Sequence, residues 1–307
     1  MVAKPVDYTA ALVAGPWEHQ FIAANGCRFH VALAGDKKAP LVVLLHDFGQ
    51  FWWSFRYVLP LLAAAGYRVA ALDLRGVAAS DKPPHGYDIP TRTRDVAAVI
   101  RSLGAVAAVV VGHGTGGEVA WAMGALQPAV TAGVAAFGCP HPARLHHGFL
   151  KTLTTTGRRL FAFAQLPTLP EKRLLHTGLL AAIFDIGAAI PLPDDAKAQY
   201  LEVLKIPLAA HNSVEALRWL ARSAPRPDGH RYRLALQRPL DIAALQLHGA
   251  ADGLVAADEV FADALALCRN LTTELLDGIG HYLPEEAPAE TAAALLAWLA
   301  RAAPISA

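Results

Sequence analysis

The stretch Ala108-Val109-Val110-Val111-Gly112-His113-Gly114-Thr115-Gly116-Gly117-Glu118-Val119-Ala120-Trp121 decides the fold. Three consecutive valines read as a buried strand. Gly112, Gly114, Gly116 and Gly117 then mark a turn too tight for ordinary side chains. An Ala-rich apolar run leaves the turn as a helix. Such a strand–elbow–helix lifts whatever residue stands at its centre above the C-terminal end of a sheet. The central residue here is Gly114, which has no side chain.

The rest of the chain suits an α/β architecture. Its 307 residues suffice for one large domain with an insertion, and 54% hydrophobic against 17% charged residues indicates a globular protein. A formal net charge of +1 provides no basic field for nucleic acid or anionic lipid. Cys27, Cys139 and Cys268 are too few and too scattered for a disulfide framework or a zinc site. Met1 to Gly15 lacks a leader-like layout, and no apolar run reaches membrane-spanning length. The expectation is a cytoplasmic protein.

Asn25-Gly26 predicts a hairpin between strands at 18–23 and 28–33. Apolar strands follow at 40–46, 68–73 and 106–111, with helices at 57–63 and 91–104 between them. After the elbow helix, Gly133 to Phe137 reads as a strand closed by Cys139-Pro140-His141-Pro142. From there to about Leu240 the pattern is helical with no clear strand. Alternation returns with a strand at 243–248, a helix at 256–268, a strand at 271–276 and a helix at 287–302. The expected architecture is a mostly parallel eight-stranded sheet flanked by helices. Residues 1–140 and 241–307 would form the core domain, and 141–240 a helical cap inserted after the sixth strand.

Five ordered segments resemble one family. Leu45-His46-Asp47-Phe48-Gly49-Gln50-Phe51-Trp52-Trp53-Ser54-Phe55-Arg56 is similar to an HGFP-x-x-W-x-S-W-R segment. Arg75-Gly76 through Ser80 and Pro83 is similar to an R-G-x-G-x-S-x-x-P loop. Pro140-His141-Pro142, His248-Gly249-Ala250-Ala251-Asp252 and Gly280-His281-Tyr282 complete the set. Together with the elbow they resemble the epoxide-hydrolase branch of the α/β-hydrolases, which includes haloalkane dehalogenases. The order elbow, Asp252, His281 is that superfamily's order.

The resemblance implies an Asp252–His281 pair, with Asp252 fixing the imidazole tautomer and His281 acting as general base. It implies an oxyanion hole from the backbone amides of Phe48 and Thr115. Trp52, Asp47, Cys139 and Tyr200 are candidate pocket residues. It also exposes departures. Ser, Asp or Cys is usual at the elbow centre, and Gly114 stands there instead. Asp47 occupies a position where Gly is usual, and its carboxylate would repel a developing oxyanion if aimed at it. Cap tyrosines are usual in this branch, yet Ala216-Leu217 precede Arg218-Trp219. Without an elbow carboxylate the covalent ester mechanism has no nucleophile.

The sequence therefore reads as a pseudo-hydrolase keeping a capped apolar pocket for a small ligand. One alternative is a hydrolase in which Asp252–His281 activates water. Another is an epoxide or ester hydrolase from which the nucleophile was removed. Gly112-x-Gly114-x-x-Gly117 also satisfies a dinucleotide fingerprint, but no Asp or Glu lies between Glu118 and Glu171 to hold a ribose. No cofactor is implied. His141, His146 and His147 lack a carboxylate partner at ligand spacing, so no metal site is expected. A homodimer is compatible with this reading.

Overall fold

The computed structural model describes residues 6–143 and 149–305. Asn25 and Gly26 both adopt positive φ, as a two-residue hairpin turn requires, and join β1 (Glu18–Ala24) to β2 (Cys27–Ala34) with Ala24 opposite Cys27. β3 (Leu41–Leu45), β4 (Arg68–Leu72), β5 (Ala108–His113), β6 (Thr131–Phe137), β7 (Leu240–Gly249) and β8 (Cys268–Leu276) follow. The eight strands form one sheet in the order β1-β2-β4-β3-β5-β6-β7-β8. β2 runs antiparallel to β1 and β4, and the other pairings are parallel.

The connecting helices are α1 (Val58–Ala64), α2 (Ile89–Ser102) and α3 (Thr115–Leu126). After β6 come α4 (Phe149–Thr152), α5 (Thr155–Ala164), α6 (Leu169–His176), α7 (Leu179–Gly187), α8 (Asp194–Leu204), α9 (Ala209–Arg222) and α10 (Pro227–Leu236). The chain closes with α11 (Ala262–Leu267), α12 (Leu283–Glu286) and α13 (Pro288–Ala302).

Every residue of β3 and β5 is buried, because helices cover both faces. Val42, Leu44, Val109 and Val111 pack with Leu59 and Leu62 of α1 and Trp298 of α13. The intervening Val43, Leu45 and Val110 pack with Val96 and Ile100 of α2 and Met123 of α3. Strand periodicity thus divides the valines between two cores, each buried side chain contributing about 1.5–3 kcal/mol.

Several boundaries differ from expectation. α2 begins at Ile89 because the Asp88 carboxylate accepts the Thr91 amide and Pro90 fits the first turn. The helix expected over 256–268 contracts to a single turn at Ala257–Glu259 and the short α11. β7 starts early, and its Leu240 pairs with Cys268, drawing that residue into β8. Between β6 and β7 the described residues form helices, with only an isolated bridge from Leu153 to Val255.

Candidate active site

β3 and β5 are hydrogen-bonded neighbours, with Leu45 opposite Gly112, so residues two positions beyond each meet at one point above the sheet. Gly114 turns the chain there at φ 50° and ψ −115°. The tightness is backbone against backbone: a Cβ on Gly112 would lie 2.0 Å from the Gly116 carbonyl oxygen, and one on Gly116 would lie 2.3 Å from that of Leu45. A Cβ on Gly114 would meet a side chain instead, 2.1 Å from Asp47 Cγ. The corner above the elbow is filled by the Asp47 carboxyl group.

That carboxyl group is held at both oxygens. The Thr115 amide donates to Oδ1 at 2.6 Å, and His281 Nε2 donates to Oδ2 at 3.0 Å. Its backbone is fixed as well, since His46 Nδ1 and the Gln50 amide donate to the Asp47 carbonyl at 2.8 Å and 3.2 Å. His46 Nε2 in turn accepts the Leu74 amide at 3.2 Å, which defines a neutral tautomer. Burial favours that neutral form by lowering the His46 pKa.

His281 is bracketed by two carboxylates. Its Nδ1 donates to Asp252 Oδ2 at 2.7 Å. The other Asp252 oxygen accepts the amides of Leu254 and Val255, so the turn after β7 aims the carboxylate. The loop carrying His281 is clamped by Glu286, whose oxygens accept the amides of Gly280, Tyr282, Ala189 and Ile190. The His281 amide donates to Gly187 at the end of α7.

The electrostatics follow. Burial alone would lower the His281 pKa, but the charge and hydrogen bond of Asp252, with those of Asp47, raise it to about 10. Burial would raise the Asp47 pKa, yet His281, His113 and the Thr115 amide hold it below the usual carboxylate range. Asp252 is lowered too, burial being outweighed by the His281 charge and hydrogen bond. At neutral pH the array is carboxylate, imidazolium, carboxylate. Burial depresses His113 to about 4, so its ring is neutral, and its Nε2 donates to the His281 carbonyl at 2.7 Å.

Above this array lies a cavity of about 180 Å³. Its walls are mainly apolar and come largely from the helices after β6, including Leu160, Phe163, Leu174, Ile183, Val214 and Leu217. Asp47, Phe48, Gly114, Thr115, Cys139 and His281 line the same space. Asp47, Phe48, Thr115 and Cys139 therefore stand at the cavity. The Thr115 amide is not open for an oxyanion as expected, because Asp47 Oδ1 already occupies it. Cys139 is a buried thiol whose pKa is pushed well up by burial, and its Sγ lies 3.3 Å from the Pro140 carbonyl.

Two expected pocket residues are not at the cavity. Trp52 is fully buried in the core, stacked edge-on with Trp17, and its Nε1 donates to the Ala11 carbonyl at 2.8 Å. Tyr200 is also buried, with its hydroxyl committed to Glu285 beside Arg56. The glycine-rich turn serves close packing, and a carboxylate covers its Thr115 amide, which would repel a pyrophosphate. His141 packs against Trp121, ring centroids 5.0 Å apart, while His146 and His147 lie outside the described residues.

Sequence reasoning missed Glu118, Tyr282 and Glu286. Glu118 lines the cavity from α3, and burial pushes its pKa up to about 8, against the pull of Tyr232 and Arg92. Its signal was a lone acid in an otherwise apolar helix. Among the described residues, Asp47, His113 and His281 form the one cluster with metal-ligand proximity, donor atoms within 4.8 Å. A cation there would have to displace the proton shared by His281 and Asp47.

The profile described as "Alpha/beta hydrolase family" matches residues 42–294. The chain belongs to the alpha/beta hydrolase family. Within that family the chain falls in the epoxide-hydrolase-like branch. It is 37% identical to Epoxide hydrolase 3 of Xenopus tropicalis over 151 residues, 48% of this chain and 41% of that protein. It is 29% identical to Epoxide hydrolase A of Mycobacterium tuberculosis over 91% of this chain and 96% of that protein. The solved "Epoxide hydrolase from an endophytic Streptomyces" superposes with a TM-score of 0.77 at 25% identity, covering 93% of this chain and 96% of the other. The chain spans about half the length of the first curated relatives it matches. No helix among the described residues is long and apolar enough to cross a membrane.

Proposed function

We propose that this alpha/beta hydrolase opens small, predominantly apolar epoxides with water to give vicinal diols, beneath a helical cap formed by the insertion at 141–240. The observation that carries the reading is the buried Asp47–His281–Asp252 array at the floor of an otherwise apolar cavity. Burying three charges costs desolvation that a well-packed apolar core would avoid, so such an array is weakly justified by stability. Strongly perturbed titratable groups converging on a cavity are what proton-transfer chemistry requires. The kinship with epoxide hydrolases supports the substrate class.

The test is turnover of styrene oxide and 1,2-epoxyhexane, followed by chromatography of the diol. Diol formation that falls at least about 100-fold in His281→Ala supports the reading. Absence of diol from both epoxides with the folded native protein overturns it. The bare Cα at Gly114 favours a second reading, a pocket that binds without turnover. That reading requires saturable binding of unreacted styrene oxide.

A further inference from the structure

Against the family pattern, this chain has exchanged two residue types. The acid expected at the elbow is Gly114, and the Gly expected after His46 is Asp47. The register of β3 and β5 makes those positions spatial neighbours. We propose that Asp47 is the nucleophile of this protein, its carboxylate delivered from the loop after β3 into the corner that an elbow side chain would otherwise fill. The inference deepens the epoxide-hydrolysing reading above and rests on it.

Each atom of the Asp47 carboxyl group has a place in that chemistry. Oδ2, which faces His281 Nε2 at 3.0 Å, is the attacking atom. Oδ1 sits against the Thr115 amide at 2.6 Å, so that amide already holds the oxygen on which negative charge later develops. The Asp47 backbone is pinned by His46 and Gln50, so the side chain is delivered by a fixed loop.

The first step forms a bond from Oδ2 to an epoxide carbon and breaks that carbon's bond to the ring oxygen, whose electron pair makes it an alkoxide. The alkoxide takes the Nε2 proton of His281. No cap tyrosine is needed, and neither Ala216 nor Leu217 could supply one. The groups facing His281 explain why it gives up the proton at that moment. They are Asp252, Asp47, His248 behind Asp252 (3.6 Å), the neutral His113 and the Tyr282 ring. Esterification removes the Asp47 charge, one of the two that hold the imidazolium proton.

In the second step the neutral Nε2 takes a proton from water while the hydroxide adds to Asp47 Cγ. The oxyanion stays on Oδ1 at the Thr115 amide. Collapse expels the glycol alkoxide, which takes the remaining proton of the added hydroxyl. The Asp47 carboxylate and His281 imidazolium are restored, and the sum is epoxide plus water giving diol. One Asp47 oxygen leaves with the diol and is replaced from water.

That exchange is the test. Native protein in excess over styrene oxide is allowed one turnover in heavy-oxygen water, then digested and analysed by mass spectrometry. Heavy oxygen in the Asp47 peptide with an unlabelled diol is expected. Heavy oxygen in the diol with none in Asp47 overturns the inference and leaves the hydrolytic reading standing. No diol from either epoxide overturns that reading, and the inference with it. A second measurement is the pH profile of kcat/KM. Attack by Asp47 with an imidazolium donor predicts a decline above about 10, where His281 loses its proton. Direct water activation by a neutral His281 predicts a rise towards that pH, and such a rise overturns the inference.

Discussion

A Cβ on Gly114 would stand 2.1 Å from Asp47 Cγ, so the elbow and the loop after β3 compete for one volume. Only one of the two positions can carry a carboxylate. Gly114→Asp in the native background should therefore lose activity and stability together. Gly114→Ala alone should cost at least about 2 kcal/mol, from overlap and from a positive φ that L-residues resist. The double variant Asp47→Gly with Gly114→Asp should recover both, because it returns the carboxylate to the same corner from the other strand. Thermal denaturation and diol formation across the two singles and the double measure this coupling. Independent, additive losses would refute it.

Asp252→Asn keeps the shape of the turn but removes the charge that most raises His281. The alkaline limit of kcat/KM should move below about 10, and kcat should fall about 10³-fold or more. An unchanged alkaline limit would mean that Asp252 does not govern the imidazole.

Glu118 is buried, with its pKa raised from 4.5 to about 8. The folded state therefore binds a proton that the unfolded state releases between those values, and stability falls as pH rises through that interval. Glu118→Gln should melt together with the native protein at pH 5, to within about 1 °C, and several degrees above it at pH 9. Equal melting temperatures at pH 9 would show that the carboxyl group is not held neutral.

Glu286 accepts four amides from the His281 loop and the segment after α7. Glu286→Ala leaves those donors without their acceptor. It should cost about 2 kcal/mol and lower kcat about 10-fold or more by loosening His281. Glu286→Gln, which keeps one acceptor oxygen, should recover part of both. A loss of stability with kcat unchanged would separate the clamp from catalysis.

Trp52 belongs to the core and not to the cavity wall. Trp52→Phe should cost about 1–3 kcal/mol through the lost Ala11 hydrogen bond and ring volume, with KM unchanged within about twofold. A selective rise in KM would return Trp52 to the substrate site.

Much of the site was legible because it depends on local order. Valine periodicity and the glycines around position 114 announce the elbow, and Asp252 and His281 follow strands in the expected sequence. Trp52, inside a motif, and Tyr200, outside any, were misplaced because an aromatic reads the same in sequence whether it faces a cavity or a core. The difference was a hydrogen-bond partner, Ala11 in one case and Glu285 in the other, far away in the chain. Glu286 was invisible because its four amides lie in two separate segments.

The sequence alone determined the alternation of strands and helices, the bend at Gly114 and the absence of a side chain there, since each depends on residues within a few positions of one another. It also contained both halves of the exchange, Asp47 and Gly114, as two unrelated departures 67 positions apart. Only the tertiary structure joined them, because β3 pairs with β5 in a register that sets Leu45 beside Gly112. Two strand ends brought together by backbone hydrogen bonds let a carboxylate on one occupy the space left on the other.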